Sequence, residues 1–271
     1  MNLIDFLPLL LLGCFTGFLA GLLGIGGGMI LTPFLTMILG HAGFPGDKVV
    51  HVAIATSLAT IFFTSMSSVR SHARRGSVMW DTVKSMAPGI ILGSILGAQI
   101  SGMLSTFWVA SIFSAFVLFS AIKMILGKNP PPSSHLPKAP GLFGAGVGIG
   151  TLSSIVGAGG GFISVPFLSY CNVKMHKAIG TSAALGFPIA LSGTLGYIYS
   201  GWGIEGLPEF PYMLGYIHIP AVLFVSCASV FFAPIGVKAA HNLDTKPLKR
   251  IFSFVLFALS AYMAYKAYSS L

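Results

Sequence analysis

The sequence predicts an all-α polytopic membrane protein of two inverted repeats, each a broken, re-entrant helical hairpin with a Gly-Gly-Gly break plus three transmembrane helices. Three observations carry that prediction. The 271 residues are 55% hydrophobic and 8% charged, with a mean hydropathy of +0.88, a composition suited to a bilayer rather than to a water-soluble core. One glycine motif occurs twice. Loops that correspond between the two halves carry opposite charge character.

The first copy of the motif is Gly24-Ile25-Gly26-Gly27-Gly28-Met29-Ile30-Leu31-Thr32-Pro33, and the second is Gly157-Ala158-Gly159-Gly160-Gly161-Phe162-Ile163-Ser164-Val165-Pro166. Adjacent glycines hold a helix poorly, each costing about 1 kcal/mol relative to Ala. Unwound backbone is tolerated in a membrane only where it is buried in protein or lines a wet cavity. A broken segment at matching places in two halves is a sequence pointer to a binding site.

Taken in order, residues 3–24 predict a first apolar helix, too long and too acidic at Asp5 for a signal peptide and therefore expected to be retained. A short helix over 29–39 follows the glycines and reaches about half-way across a ~30 Å core. Residues 41–48 form a turn-rich loop, 49–69 a span, 70–85 a basic loop and 86–104 a second span. The second span carries Gly89, Gly93 and Gly97, a stripe that permits close helix contact. Ser105 caps a helix over 106–126. The Pro-rich stretch 127–140 separates a first repeat, 1–126, from a second, 141–271. There, 141–157 leads to the second triple glycine and 162–170 forms the short arm. Spans follow over 178–200 and 217–240, and Asp244 caps a last helix over 246–268.

Further matches support duplication. His51-Val-Ala-Ile-Ala-Thr56-Ser57 agrees with His176-Lys-Ala-Ile-Gly-Thr181-Ser182 at five of seven positions, and Ile112-Phe113-Ser114 recurs as Ile251-Phe252-Ser253. Loop 70–85 holds Arg70, Arg74, Arg75 and Lys84, whereas its counterpart, 201–216, holds Glu205 and Glu209 and no Lys or Arg. Loop 101–107 is uncharged, whereas residues 238–250 hold Lys238, Lys246, Lys249 and Arg250. Equivalent loops are thus expected on opposite sides. With basic loops cytoplasmic, all of the 15 basic residues except Lys48 and Lys266 fall inside. Residues 140 and 171 then share a face, and both termini lie outside. The expected location is the cell inner (plasma) membrane, crossed several times.

The chemistry is expected at the breaks. Each short helix begins with backbone N–H groups that lack intrahelical partners and with the positive end of its dipole. Gly26, Gly27, Gly28, Gly159, Gly160 and Gly161 let an anion approach that backbone closely, so the pair reads as an anion cradle. The same glycines could instead serve only tight helix crossings. Pro33 and Pro166 are structural or hinge positions. Thr56, Ser57, Thr181 and Ser182 can donate hydroxyls to an oxyanion from ~10 Å inside their spans, or join helices. Gln99 is a further polar candidate. His51 and His176 occupy one repeat position and suit gating or proton coupling, or helix-end anchoring. His218, before Pro220, is expected at the interface.

Other classes fit poorly. All six acidic residues fall in expected loops or helix ends, which argues against a cation carrier. Cys14, Cys171 and Cys227 lack metal-ligand spacing and read as buried structural thiols. Gly24–Gly28 follows no strand, so it is not a dinucleotide loop. Ser192 lacks a G-x-S-x-G elbow and an acidic partner for a His, which argues against an enzyme. No basic patch suits nucleic acid, and no metal or cofactor is expected.

The paired G-x-G-G-G-x-x-x-x-P motifs, the two T-S segments and the basic linker between the halves resemble the TauE/SafE sulfite-exporter family, also called the 4-toluene sulfonate uptake permease family. The likeness covers nearly the whole chain. It implies transport of sulfur-containing anions such as sulfite, thiosulfate, sulfoacetate or other organosulfonates, in either direction. It carries a functional role onto Gly26–Gly28, Gly159–Gly161, Pro33 and Pro166. The resulting expectation is a secondary transporter working by alternating access around a midplane site. The alternative is an anion channel, or a transporter of another small anion such as a carboxylate. Expected partners are that anion, the lipid bilayer, a coupling proton or ion, and a second copy of the chain.

Overall fold

The computed structural model describes residues 7–23, 27–126, 135–204, 212–242 and 245–270. These are helical almost throughout: α1 (Leu7–Leu23), α2 (Gly28–His41), α3 (Val49–Ala73), α4 (Trp80–Met103), α5 (Thr106–Leu126), α6 (Ala139–Val156), α7 (Gly161–Tyr170), α8 (Met175–Ser200), α9 (Ile219–Asn242) and α10 (Thr245–Tyr268). Between α8 and α9, β1 (Met213–Leu214) and β2 (Ile217–His218) pair antiparallel.

Local chemistry sets the boundaries. Gly157, at φ 66°, ends α6: its N–H donates to Ser154 O (3.3 Å) and the Ala158 N–H to Ser153 O (2.9 Å), the double bond of a Schellman cap. Caps of the same kind close α2 at Gly43, α3 at Gly76 and α7 at Asn172, each with positive φ. The expected basic loop 70–85 is shorter than its charges suggested. Arg70 lies in the last turn of α3, and α4 starts at Trp80 with Asp81 in its first turn, each of these two charges complementing the helix dipole. The arm after the first break is also longer than the expected 29–39 by one residue at its start and two at its end, and Pro33 sits inside it. The Asp244 cap, the residues 127–134 of the linker, Glu205 and Glu209 lie outside the described residues.

Among the described residues, seven helices are long and apolar enough to cross a membrane: α3, α4, α5, α6, α8, α9 and α10. α6 is the addition to the six full spans that the sequence suggested. Two tight crossings organise the bundle. A Cβ on Gly89, Gly93 or Gly97 would lie 2.1, 2.1 or 2.4 Å from the carbonyl oxygens of Phe143, Val147 and Thr151, so α4 and α6 touch backbone to backbone and run parallel. In the same way Gly13, Gly17 and Gly21 of α1 meet Val225, Ser229 and Ala233 of α9. The glycine stripe predicted on 86–104 thus has a counterpart that the sequence reading passed over.

Other contacts fix direction. α8 runs parallel to α4, since Gly196 abuts Ala98 and Gly102 abuts Ser200. α3 runs parallel to α9, through Thr64 with Ser229 and Ser67 Oγ donating to Val230 O. α3 and α8 are antiparallel, with Gly193 against Leu58 and Gly186 near Ser65. Buried residues from nearly every helix form one continuous apolar core. Among the described residues the buried polar side chains are Ser, Thr and the histidines His51, His72 and His218, with no Asp, Glu, Lys or Arg.

Candidate functional site at the helix breaks

The two breaks meet inside the protein. Gly28, the first residue of α2, lies so close to the second break that a Cβ there would stand 2.1 Å from Gly157 O and 3.0 Å from the Ala158 Cα. From Gly157 to Gly161, where α7 starts, is at most about 14 Å of extended chain, so α7 begins within that reach of the α2 N-terminus. Gly27 and Gly160 adopt the same left-handed conformation at those N-termini, φ 72° and ψ −9° against φ 76° and ψ −10°, a region where glycine has no steric cost. Gly26 lies outside the described residues.

Each break also contains the negative end of the helix before it, and for α6 that end is neutralised. Its last carbonyls accept from the Gly157 and Ala158 N–H groups, the Tyr197 hydroxyl donates to Ser154 O at 3.2 Å, and Ser57 Oγ donates to Gly157 O at 3.1 Å. The first N–H groups of α2 and α7 have no intrahelical acceptor. At the second break, the carbonyls that end α6 are thus spent, while the first N–H groups of α7 are left as donors, which suits negative charge.

The predicted hydroxyls are used to join elements. Thr56 Oγ1 accepts from the His218 N–H at 3.1 Å, and Thr181 Oγ1 accepts from the Met79 N–H at 3.0 Å. Ser182 Oγ accepts from Ser164 Oγ (2.7 Å) beside the second break, and Ser57 serves the Gly157 carbonyl. Gly161 and Gly159 flank Gly160 at the break, and Gly159 O faces Gly186 of α8. Pro33 and Pro166 lie inside α2 and α7. Lacking N–H groups, they release the carbonyls of Met29 and Phe162 from the helix ladder.

The remaining candidates lie away from the breaks. His51 is buried, and its Nε2–H donates to Ser101 O (3.0 Å) and Leu104 O (3.1 Å) at the end of α4, while its repeat partner His176 is exposed. Gln99 donates to Gly196 O at 3.1 Å and lines a 640 Å³ cavity with Tyr199 and Trp202. His218 is not interfacial as expected: it is buried, with its ring edge on Phe44. The loss of hydration there pushes its pKa down to about 4. Of the cysteines, Cys171 is buried but Cys227 is exposed, against the expectation of three buried thiols.

Sequence reading missed the hydroxyls nearest the break that have no partner. Thr32 Oγ1, Ser153 Oγ and Ser154 Oγ are buried without a hydrogen bond. Thr32 Oγ1 would lie 2.9 Å from a Cβ on Gly157, Ser153 Oγ 3.2 Å from one on Gly160, and Ser154 Oγ 2.8 Å from one on Gly193. The only signal was position, four to six residues from a triple glycine. Beside Gly159 a small cavity of about 10 Å³ lies among Ala20, Thr64, Ser65, Ser68 and Gly186, room for roughly one water. Among the described residues no group of His, Cys, Asp and Glu could hold a metal ion.

Comparison with known proteins agrees with this picture of a membrane-embedded helical bundle. The model of the sulfite exporter TauE/SafE family matches residues 9–263. A "Probable membrane transporter protein" of Haemophilus influenzae is 37% identical over 259 residues, covering 95% of this chain and 97% of that protein. A protein of the same description from Methanocaldococcus jannaschii is 29% identical over 264 residues, covering 95% of each. One from Bacillus subtilis is 23% identical over 282 residues, covering 97% of this chain and 98% of its own length. No solved structure matches the chain.

Proposed function

The chain belongs to the TauE/SafE sulfite exporter family of membrane transporters, and from that premise we propose that it carries small sulfur-containing anions across the cell inner membrane. Sulfite, thiosulfate, sulfoacetate and other organosulfonates are the substrate class. The single observation carrying the proposal is the contact of Gly28 with Gly157 and Ala158, which puts the N-terminus of α2 against the second break. Backbone N–H groups of α2 and α7, with the hydroxyls of Thr32, Ser153 and Ser154, are the donors. A site of neutral donors binds an oxyanion without a fixed counter-charge, and so can release it.

The two repeats, 1–126 and 141–271, are inverted and joined by the linker 127–140. α6 and α8 both run parallel to α4, so their starts share one face and α6–α7 is a hairpin, although α6 is long enough to cross. α1 and α3 both run parallel to α9, so α1–α2 is a hairpin from the opposite face. Reciprocal bonds favour the same symmetry: the residue preceding α9 donates to Thr56, and the residue preceding α4 donates to Thr181. Alternating access is preferred over a channel because the space beside Gly159 holds about one water. Basic loops face the cytoplasm, and a proton or ion coupled to flux completes the cycle.

Flux into proteoliposomes tests the reading, with labelled sulfite and thiosulfate against acetate as a carboxylate control. Wild type is expected to move the sulfur anions. Gly27→Leu and Gly160→Leu, which force a side chain into left-handed backbone, are expected to insert but transport at least tenfold more slowly. Thr32→Val keeps shape and loses only the hydroxyl, so it is expected to raise KM several-fold with little loss of fold. Normal flux in all three would overturn the site.

A further inference from the structure

A further polar cavity opens at the end of the bundle where α3 begins, its wall residue His51 lying one helical turn before Ile54, whose Cα would stand 3.2 Å from a Cβ on Gly157. Its volume is 490 Å³, and Lys48, His51, Tyr216 and Lys266 are among its walls. Lys48 comes from the end of the α2–α3 loop and Lys266 from the last turn of α10, yet a Cβ on Gly46 would lie 3.9 Å from Lys266 Nζ. These are the two basic residues left on the far side when every other Lys and Arg is assigned to the cytoplasmic face. Residues with no role in setting topology have converged on one cavity.

The charges in the cavity do not cancel. Asp47 Oδ2 lies 3.4 Å from Lys48 Nζ, and Lys266 has no carboxylate within salt-bridge distance among the described residues. Among the described residues, the side chains lining the cavity therefore sum to about one net positive charge. His51 lies in its wall, 3% exposed, and stacks on Tyr216 with ring centroids 5.5 Å apart. Two carbonyls occupy its Nε2–H, and its buried Nδ1 has no partner. With Nε2 as the donor, Nδ1 is a buried lone pair that offers an anion nothing, so the donors this open cavity presents to a solute are the ammonium groups of Lys48 and Lys266.

We propose that this cavity is a peripheral binding site for a small oxyanion, seated between Lys48 and Lys266 beside the His51 ring, where substrate is held before it reaches the helix breaks. The inference rests on the reading of the protein as a small-anion carrier. The site is a dock, not a trap: Asp47 screens one lysine, and both lysines are partly solvated, so binding is weak, fast and salt-sensitive.

Equilibrium binding of labelled thiosulfate to the purified full-length protein in lipid nanodiscs tests it. At low salt, Lys48→Gln/Lys266→Gln is expected to weaken binding about tenfold. Asp47→Asn, which frees Lys48, is expected to tighten it about threefold, a gain that misfolding would not produce. Both differences should shrink at half-molar salt. In flux assays the double variant should raise KM from this face with kcat nearly unchanged, whereas Gly160→Leu should abolish flux and leave the salt-sensitive binding in place. Equal thiosulfate binding in wild type and both cavity variants overturns the proposal. So does loss of only anionic lipid from the double variant, which would make the cavity a headgroup site. Intact cavity binding in a wild-type protein that moves no anion would instead sink the transport reading and leave the dock standing.

Discussion

Two histidines near the same end of the bundle show how differently single residues can be placed by one fold. His51 gives its Nε2–H to the end of α4, whereas His218 is buried beside Phe44 with Nδ1 unpartnered. With its pKa lowered to about 4 from 6.5, His218 takes up a proton more readily unfolded than folded between those values. Stability from this residue is full above about pH 6.5 and is lost as pH falls toward 4. Acidification from pH 7 to 5 is expected to destabilise the protein by about 1–2 kcal/mol through this group, and His218→Gln should flatten that dependence. A melting temperature with the same acid slope in both proteins would refute it. None of this was legible in the sequence, where a His before a Pro at a helix start reads as interfacial. Thr56 and Thr181 were legible as a symmetric pair but not in their role, because their acceptors' partners, the N–H groups of His218 and Met79, lie in the opposite half.

At the scale of elements, the sequence located the helices well because apolar runs, glycine breaks and prolines are local signals. It placed the start of α4 too late, because Lys84 and Asp81 read as loop charges when they sit in the first turns of a helix. It saw Gly89, Gly93 and Gly97 but not Gly13, Gly17 and Gly21, whose stripe is interrupted by no charge or turn that draws attention to it. Of the β1–β2 pair, β1 lay in the expected loop 201–216 and β2 was read as the start of the span 217–240, since two residues a side show no alternating pattern. The glycine stripes give an element-scale prediction. Val147 O would stand 2.1 Å from a Cβ on Gly93, and that oxygen is backbone, so α4 and α6 must separate to admit even an alanine. Gly93→Ala is expected to cost about 1–3 kcal/mol, the range for overpacking, and Gly93→Leu to prevent assembly of the bundle. Gly148, with open space around it, is the control: Gly148→Ala should cost nothing, and the removal of backbone freedom should slightly stabilise α6. Thermal unfolding in detergent reads all three, and equal melting temperatures for Gly93→Ala and wild type would show that the crossing yields.

For the whole molecule, the sequence argues for duplication by order where identity does not survive: glycines, the His-to-Ser segment and the helix caps recur along the chain. What no sequence states is which halves touch. The strongest packings join α4 to α6 and α1 to α9, so each repeat is completed by the other, and neither could bury its glycine faces alone. This interlock requires a particular path for the chain. Parallel α4, α6 and α8 put residues 138 and 174 at one end of the bundle, while Gly43 lies at the end where α3 begins. In a cysteine-free background, Lys138→Cys and Lys174→Cys are therefore expected to react with a membrane-impermeant maleimide from the same side, and Gly43→Cys from the other. All three positions are exposed, so failure to react cannot be put down to burial. With basic loops cytoplasmic, intact cells should label only at position 43, and permeabilised cells at all three. Labelling of 138 and 174 from opposite sides would make α6 and α7 together a full crossing. It would move α7 to the far leaflet, and it would remove the convergence of helix N-termini on which the anion site depends.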